Sequence, residues 1–404
     1  MKTLHLKLAL VVFAVLLTGA VGEIVVRVVG ATDESGNFTF RNRIVRPHVV
    51  PVASVTRLAA ELAGSSDSFV MADPHLGWVP RPHGRSADGL YAYNAQGIRS
   101  PREEFPPTPP PGVLRIALFG DSFTHGDDVV YAESWGAQLE AGLVAAGQPA
   151  EVLNFGVGGY GLDQALLRFS KTGKGFAPDV VVLGFQPENL KRDLNLLRPL
   201  YEPRTRLPFA KPRFVLADGG ISLINVPVPG PDEVPGILAD LENWPLLPYE
   251  GFYDPADYGR AWWQHSRLLA TIAEFRRGYD DPWAIRRSVF RPTGEEPQLG
   301  WAIIQALAGE ARQAGADFVI VHLPTVQDLY MGRQLGKLPY QRFLDALDRD
   351  YPVAHPEQAL TAAIEAENTA AVYKGHFNAR GNRIVAEALQ AVLLARVRAD
   401  TTGR

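Results

Sequence analysis

Cysteine is absent from this chain. That excludes disulfides, a thiol nucleophile and cysteine-ligated metals. It permits export to an oxidising compartment without requiring it. Long runs of like charge are also absent, so nothing reads as a charged interaction tail. The formal net charge is only -4 over 404 residues, which leaves no basic footprint for nucleic acid. Internal repeats and low-complexity tracts are lacking. What remains is 46% hydrophobic and 21% charged, ample for a packed core in one large domain or two.

The N-terminus carries the first positive signal. Lys2, His5 and Lys7 precede an uncharged apolar run from Leu8 to Gly22. A basic start before such a run reads as a signal peptide or signal anchor over residues 1–30. Ala20-Val21-Gly22 fits a small-x-small cleavage site, and Ile24 to Val29 would extend the run toward a full span if it is retained. Either way, the basic flank places the body outside the cytoplasm, periplasmic or secreted.

Residues 31–112 show weak periodicity broken by Pro47, Pro51, Pro74, Pro80 and Pro82, with a short strand expected within Tyr91–Ile98. Five prolines between Phe105 and Gly112 mark an extended boundary. From Val113 the pattern alternates. Strands are expected at Leu114–Phe119, Glu151–Phe155, Asp179–Phe185 and Asp317–Leu323. Helices are expected at Glu133–Ala146, Leu162–Ser170, Leu299–Ala314, Tyr340–Asp348 and Ala379–Val397. Three consecutive valines in Asp179–Phe185 suit a strand buried on both faces. Alternating β and α units imply a mainly parallel sheet covered on both faces, in a domain over 113–400. An insertion at about 198–298 interrupts it, with a hairpin expected around Arg213–Val226 and a helical patch at Tyr258–Phe275. Its tryptophans Trp244, Trp262, Trp263 and Trp283 suit sugar stacking, and equally suit filling a core.

Four pieces can carry chemistry. Gly120-Asp121-Ser122 follows the first strand, at the carboxyl edge where open α/β sheets bind ligands; the plain alternative is a helix-capping serine. Asn154 to Gly161 is a glycine-dense turn in which the Gly159 N–H can face a developing oxyanion. Gly156, Gly158 and Gly161 also fit a dinucleotide fingerprint, but they follow the second strand, and no acid stands at the end of the next one. Asn189 leaves the third strand at the same edge, where a turn asparagine is the bland reading. His376 precedes the last helix, where the helix dipole favours the neutral imidazole that a general base must be. His125 and His322 are its rivals by position.

Together these four blocks, in this order, resemble the SGNH (GDSL-like) hydrolases, the bacterial type with an N-terminal membrane-targeting segment. The resemblance implies a flavodoxin-like three-layer α/β/α sandwich and a Ser122 nucleophile with His376 as base. It further implies an oxyanion hole from Ser122, Gly159 and Asn189, with no metal or organic cofactor. The elbow of the α/β-hydrolases is not present, because Thr124 stands where their second glycine belongs. One departure matters. The family's aspartate, two or three residues before the histidine, is replaced by Tyr373 and Lys374. Three readings stay open: a Ser-His dyad; a carboxylate from elsewhere, such as Glu188, Asp193 or a loop residue; or an inactive binding module. The expected function is ester hydrolysis outside the cytoplasm on a small-molecule or polysaccharide ester. O-acyl transfer to an envelope or exported polysaccharide is the alternative.

Overall fold

The computed structural model describes residues 2–41, 43–65, 68–259, 261–280 and 294–402. The chain divides into two compact units. One comprises residues 1–61, 197–208 and 231–285; the other comprises 62–196, 209–230 and 286–404. The lead-in is therefore split, its residues 62–112 belonging with the sheet. The insertion is split as well, its residues 209–230 also belonging there.

The larger unit is built on five parallel strands: β1 Leu114–Phe119, β2 Ala150–Asn154, β3 Val180–Phe185, β4 Asp317–His322 and β5 Val353–Ala354. Their order is β5-β4-β3-β1-β2. Alternate residues feed opposite faces, as the two-residue strand period requires. Ala117, Phe119, Val181, Leu183 and Phe185 enter one core beneath helices Leu162–Lys171 and Glu295–Gln313. Ile116, Leu118, Val180 and Val182 enter the other, beneath Trp135–Ala145 and Ala379–Thr402. Two helical layers on one parallel sheet form the α/β/α sandwich, because neither apolar face of a parallel sheet tolerates water.

Hairpin Arg213–Ala217/Gly220–Ile224 forms as expected, with Gly219 and Gly220 at positive φ in its tip. Of Tyr91–Ile98, expected to hold a strand, only Ala92 and Tyr93 pair, as isolated antiparallel bridges to Arg85 and Arg99, and residues 95–97 form a turn. The Asn94 side chain accepts the Gln96 and Ile98 N–H groups, and Gly97 takes a left-handed φ of 68°. An asparagine that bonds its own following backbone competes with strand pairing and wins here.

In the smaller unit, helix Lys2–Val29 is continuous, and an 18-residue window within Thr3–Val29 has a mean hydropathy of 2.5. By length and composition it can cross a membrane, a test that signal sequences also pass. Its last turns join the folded unit. Val26 packs with Phe38, Val45 and Ala270, and Glu23 accepts the Arg267 and Leu268 N–H groups that open helix Arg267–Asp280. Of the insertion tryptophans, Trp262 is 82% exposed, Trp263 packs on that Val26 cluster and Trp244 is half-buried. Trp283 lies outside the described residues.

Candidate active site

At the carboxyl end of β1 the chain turns sharply into a one-turn helix, Ser122–His125. Asp121 caps it by accepting the Phe123 N–H, and Arg192 pins the same carboxylate at 2.7 Å. The turn admits little bulk. A Cβ on Gly120 would lie 2.2 Å from Thr124 Oγ1, and one on Gly156 would lie 2.5 Å from the His125 nitrogen. Glycines at these positions let the glycine turn and the Ser122 helix press backbone against backbone. Asn154, at the end of β2, joins them by donating its amide to the Thr124 carbonyl at 3.0 Å.

His376 arrives from the far end of the chain on a tight two-stranded turn, Tyr373–Lys374 against His376–Phe377. Gly375 between them has φ 95°. The buried Asn382 secures this turn, donating to the Phe377 carbonyl and accepting the Trp135 N–H. The His376 ring meets Phe123 edge-on at 4.8 Å. Its Nε2 lies 2.9 Å from Ser122 Oγ. Its Nδ1 lies 2.9 Å from Asp128 Oδ2, and the same oxygen accepts the His376 backbone N–H at 3.0 Å. A carboxylate only accepts, so Nδ1 carries the proton and Nε2 is left to accept from the serine.

Asp128 thus places a carboxylate on Nδ1, where the histidine block itself offers none. It is a loop residue, six positions after Ser122. Tyr373 does not serve as a polar stand-in, because its ring packs tilted against Phe377 and its hydroxyl donates to the Pro324 carbonyl. Lys374 is exposed. Asp193 is sealed in the interior, accepts the Asp163 N–H, and is pushed well above the usual carboxylate range by burial. Burial thus disfavours the charge that an acid orienting an imidazolium would carry there. Glu188 occupies the N-cap position of the short helix Asn189–Arg192 without a side-chain capping bond.

Asp128 itself sits at φ 69°, a costly conformation for a residue with a Cβ. The lead-in holds it there. The Tyr91 hydroxyl accepts the Asp128 N–H at 3.0 Å. Buried Arg99 donates to the carbonyls of His125 (2.5 Å), Gly126 (2.6 Å) and Val129 (2.6 Å), clamping the loop from both ends. Its guanidinium also stacks on the Tyr91 ring, 5.0 Å from the centroid. Burial pushes the Tyr91 phenol up to about 12, which keeps it protonated. Sequence reasoning missed Asp128, Tyr91 and Arg99. The adjacent acids Asp127-Asp128 on the nucleophile loop were the available signal.

The rival histidines are engaged elsewhere. His125 Nε2 meets the Tyr93 hydroxyl at 3.0 Å and its Nδ1 meets Asp127 at 2.5 Å. His322 lies between Glu357 and the Tyr340 hydroxyl. Among the described residues, neither the Ser122 nor the Gly159 backbone N–H has a protein acceptor. Gly159 has φ 82°, a conformation that glycine adopts freely. The fully buried Asn189 donates its amide to the Tyr160 carbonyl at 3.0 Å, which fixes the asparagine to the glycine turn.

No family model matches the chain, and no curated protein does. Solved structures do. Its structural neighbours are esterases and lipolytic proteins of the GDSL/SGNH kind. A member of the lipolytic protein G-D-S-L family from Veillonella parvula is 13% identical, with a TM-score of 0.34 over 68% of this chain and 95% of that one. An acetylxylan esterase from Geobacillus stearothermophilus is 12% identical, with a TM-score of 0.36 over 69% and 93%. The esterase EstA from Pseudoalteromonas sp. is 9% identical, with a TM-score of 0.35 over 70% and 98%. At these scores the likeness leaves the chemistry to be argued from the site itself.

Proposed function

We propose that this chain is a serine ester hydrolase of SGNH type, with Ser122 as nucleophile, His376 as general base and acid, and Asp128 orienting His376. The observation that carries this reading is the unbroken relay from Ser122 Oγ to His376 Nε2, and from Nδ1 to Asp128 Oδ2, each step 2.9 Å. A nucleophile, a base within hydrogen-bond reach and a third group orienting that base are the parts that activate a serine.

The chemistry follows from these positions. Ser122 Oγ attacks the ester carbonyl carbon as its proton passes to His376 Nε2. The carbonyl electron pair moves onto oxygen. The Ser122 and Gly159 N–H groups, and the second Asn189 amide hydrogen, are suited to receive that charge. Asp128 stabilises the imidazolium as it forms. Collapse of the intermediate expels the alcohol, which takes the proton from Nε2, and leaves an acyl-serine. Water then gives its proton to Nε2 and adds to the acyl carbon, and a second collapse frees the carboxylic acid and restores Ser122. A sugar hydroxyl in place of water makes the same steps an O-acyl transfer. We place the reaction outside the cytoplasm, with helix Lys2–Val29 as signal or anchor, because its basic start favours that orientation.

The test is a fluorophosphonate probe and p-nitrophenyl acetate applied to the full chain in detergent, beside Ser122→Ala and His376→Ala. Labelling and turnover in wild type and their loss in both variants are expected. A folded wild type that neither labels nor hydrolyses would sink the catalytic reading and favour a binding module on the same fold.

A further inference from the structure

Three side chains outside this site converge in a way that hydrolysis does not use. His322 ends β4, His355 follows β5 and Glu357 opens helix Glu357–Ala366. Both imidazoles turn Nδ1 toward one oxygen, Glu357 Oε1; for His355 the separation is 3.1 Å. The candidate ligand atoms of all three lie within 4.8 Å of one another.

The opposite face of each ring is already occupied. His322 Nε2 is 2.9 Å from the Tyr340 hydroxyl, and His355 Nε2 is 2.7 Å from Asp348 Oδ1. A carboxylate only accepts, so both Nδ1 atoms carry protons toward Glu357 when no ion is bound. An ion that displaces those protons would find each ring already held through its far nitrogen, as the imidazoles of metal sites are. Two inward lone pairs and a carboxylate oxygen repel one another unless a cation or protons stand between them. His322 is fully buried, while His355 and Glu357 line a groove of about 610 Å³ shared with Gln341, Gln358 and Lys337. The inner ligand is rigid, and the outer side admits an ion with a water as its fourth ligand.

We infer that His322, His355 and Glu357 bind one divalent transition cation of the zinc class. Two imidazoles, one carboxylate and an open fourth position match zinc's preferred donors and number. The ion would tie β4, the segment after β5 and helix Glu357–Ala366 into one unit. It takes no part in the serine chemistry, so this inference is independent of the proposed function.

The experiment uses the full chain in detergent, stripped with a chelator and dialysed. Zinc is titrated against a chromophoric competitor, and cobalt is added separately to read its d–d bands. One equivalent per chain, a tetrahedral cobalt spectrum and a raised melting temperature are expected. His355→Ala, at a half-exposed position that tolerates truncation, should weaken binding by about 100-fold or more, and Asp348→Asn by about tenfold. Both should keep wild-type p-nitrophenyl acetate turnover. A wild type that takes no stoichiometric ion, or a His355→Ala protein that binds as wild type does, overturns the inference and leaves a hydrogen-bonded network in its place.

Discussion

A single oxygen of Asp128 holds His376 twice, accepting its ring Nδ1–H at 2.9 Å and its backbone N–H at 3.0 Å. The grip fixes the ring's tautomer and its place on the turn together. Asp128→Asn presents an amide that can rotate its own N–H toward Nδ1 and favour the wrong tautomer. We expect kcat to fall by about 10⁴-fold, the order seen when a triad aspartate becomes asparagine. Steady-state turnover of p-nitrophenyl acetate checks this; a loss below tenfold would mean that the enzyme runs as a dyad.

The lead-in residue Tyr91 touches the acid only through its backbone. Tyr91→Phe removes the acceptor for the Asp128 N–H while keeping the ring that Arg99 stacks on. A carboxylate released from its φ of 69° drifts from Nδ1. Small misplacements of catalytic groups cost up to about 100-fold. We expect kcat to drop by about tenfold with KM unchanged. A raised KM with intact kcat would instead assign Tyr91 to substrate contact.

Gly375 is the third support. A Cβ there would lie 2.7 Å from Asp128 Oδ2, at a φ of 95°. Gly375→Ala should therefore do two separable things. Stability should fall by about 1–2 kcal/mol from the left-handed backbone alone, read by denaturant unfolding. Turnover should fall by at least about tenfold as the carboxylate is displaced. Retained turnover in a destabilised protein would show that the acid has room to move.

Acid sensitivity has a source beside the site. Burial holds the His125 imidazole below its ordinary value, so the folded chain takes up a proton there less readily than the unfolded one. The unfolded chain takes up a proton there as pH falls past about 6.5. The unfolded state then binds more protons than the native one, so stability is lost on acidification and unaffected above neutrality. As pH falls from about 7.5 to 5.5 we expect stability to decline, seen as a lower denaturant midpoint. His125→Gln should flatten that part of the slope; an unchanged slope would place the proton elsewhere.

How much was legible in the sequence follows from which forces are local. The runs at residues 116–119, 180–183 and 318–321 are continuous apolar cores flanked by polar or glycine residues, and burial on both faces leaves such a run no other role. Ser122 and His376 were readable because each stands where a strand or turn meets a helix. Val353–Ala354 was not, because a two-residue edge strand carries no period. Asp128 was hidden for a different reason. Its role depends on Tyr91 and Arg99, more than 25 positions upstream, and on Gly375, nearly 250 downstream. A search tied to the histidine's own neighbours meets Tyr373 and Lys374, which the tight turn aims elsewhere.

Carrying acid and nucleophile on one seven-residue stretch, Ser122 to Asp128, leaves the C-terminal turn contributing a single exchangeable part. In His376→Gly the oriented carboxylate and the serine remain in place, on either side of a void the size of an imidazole. The histidine side chain is 28% exposed, so the void opens to solvent. Free imidazole diffusing in would find the acceptor that fixes its tautomer already waiting. Turnover by that variant should therefore rise with added imidazole and saturate, making the proposed base a replaceable reagent.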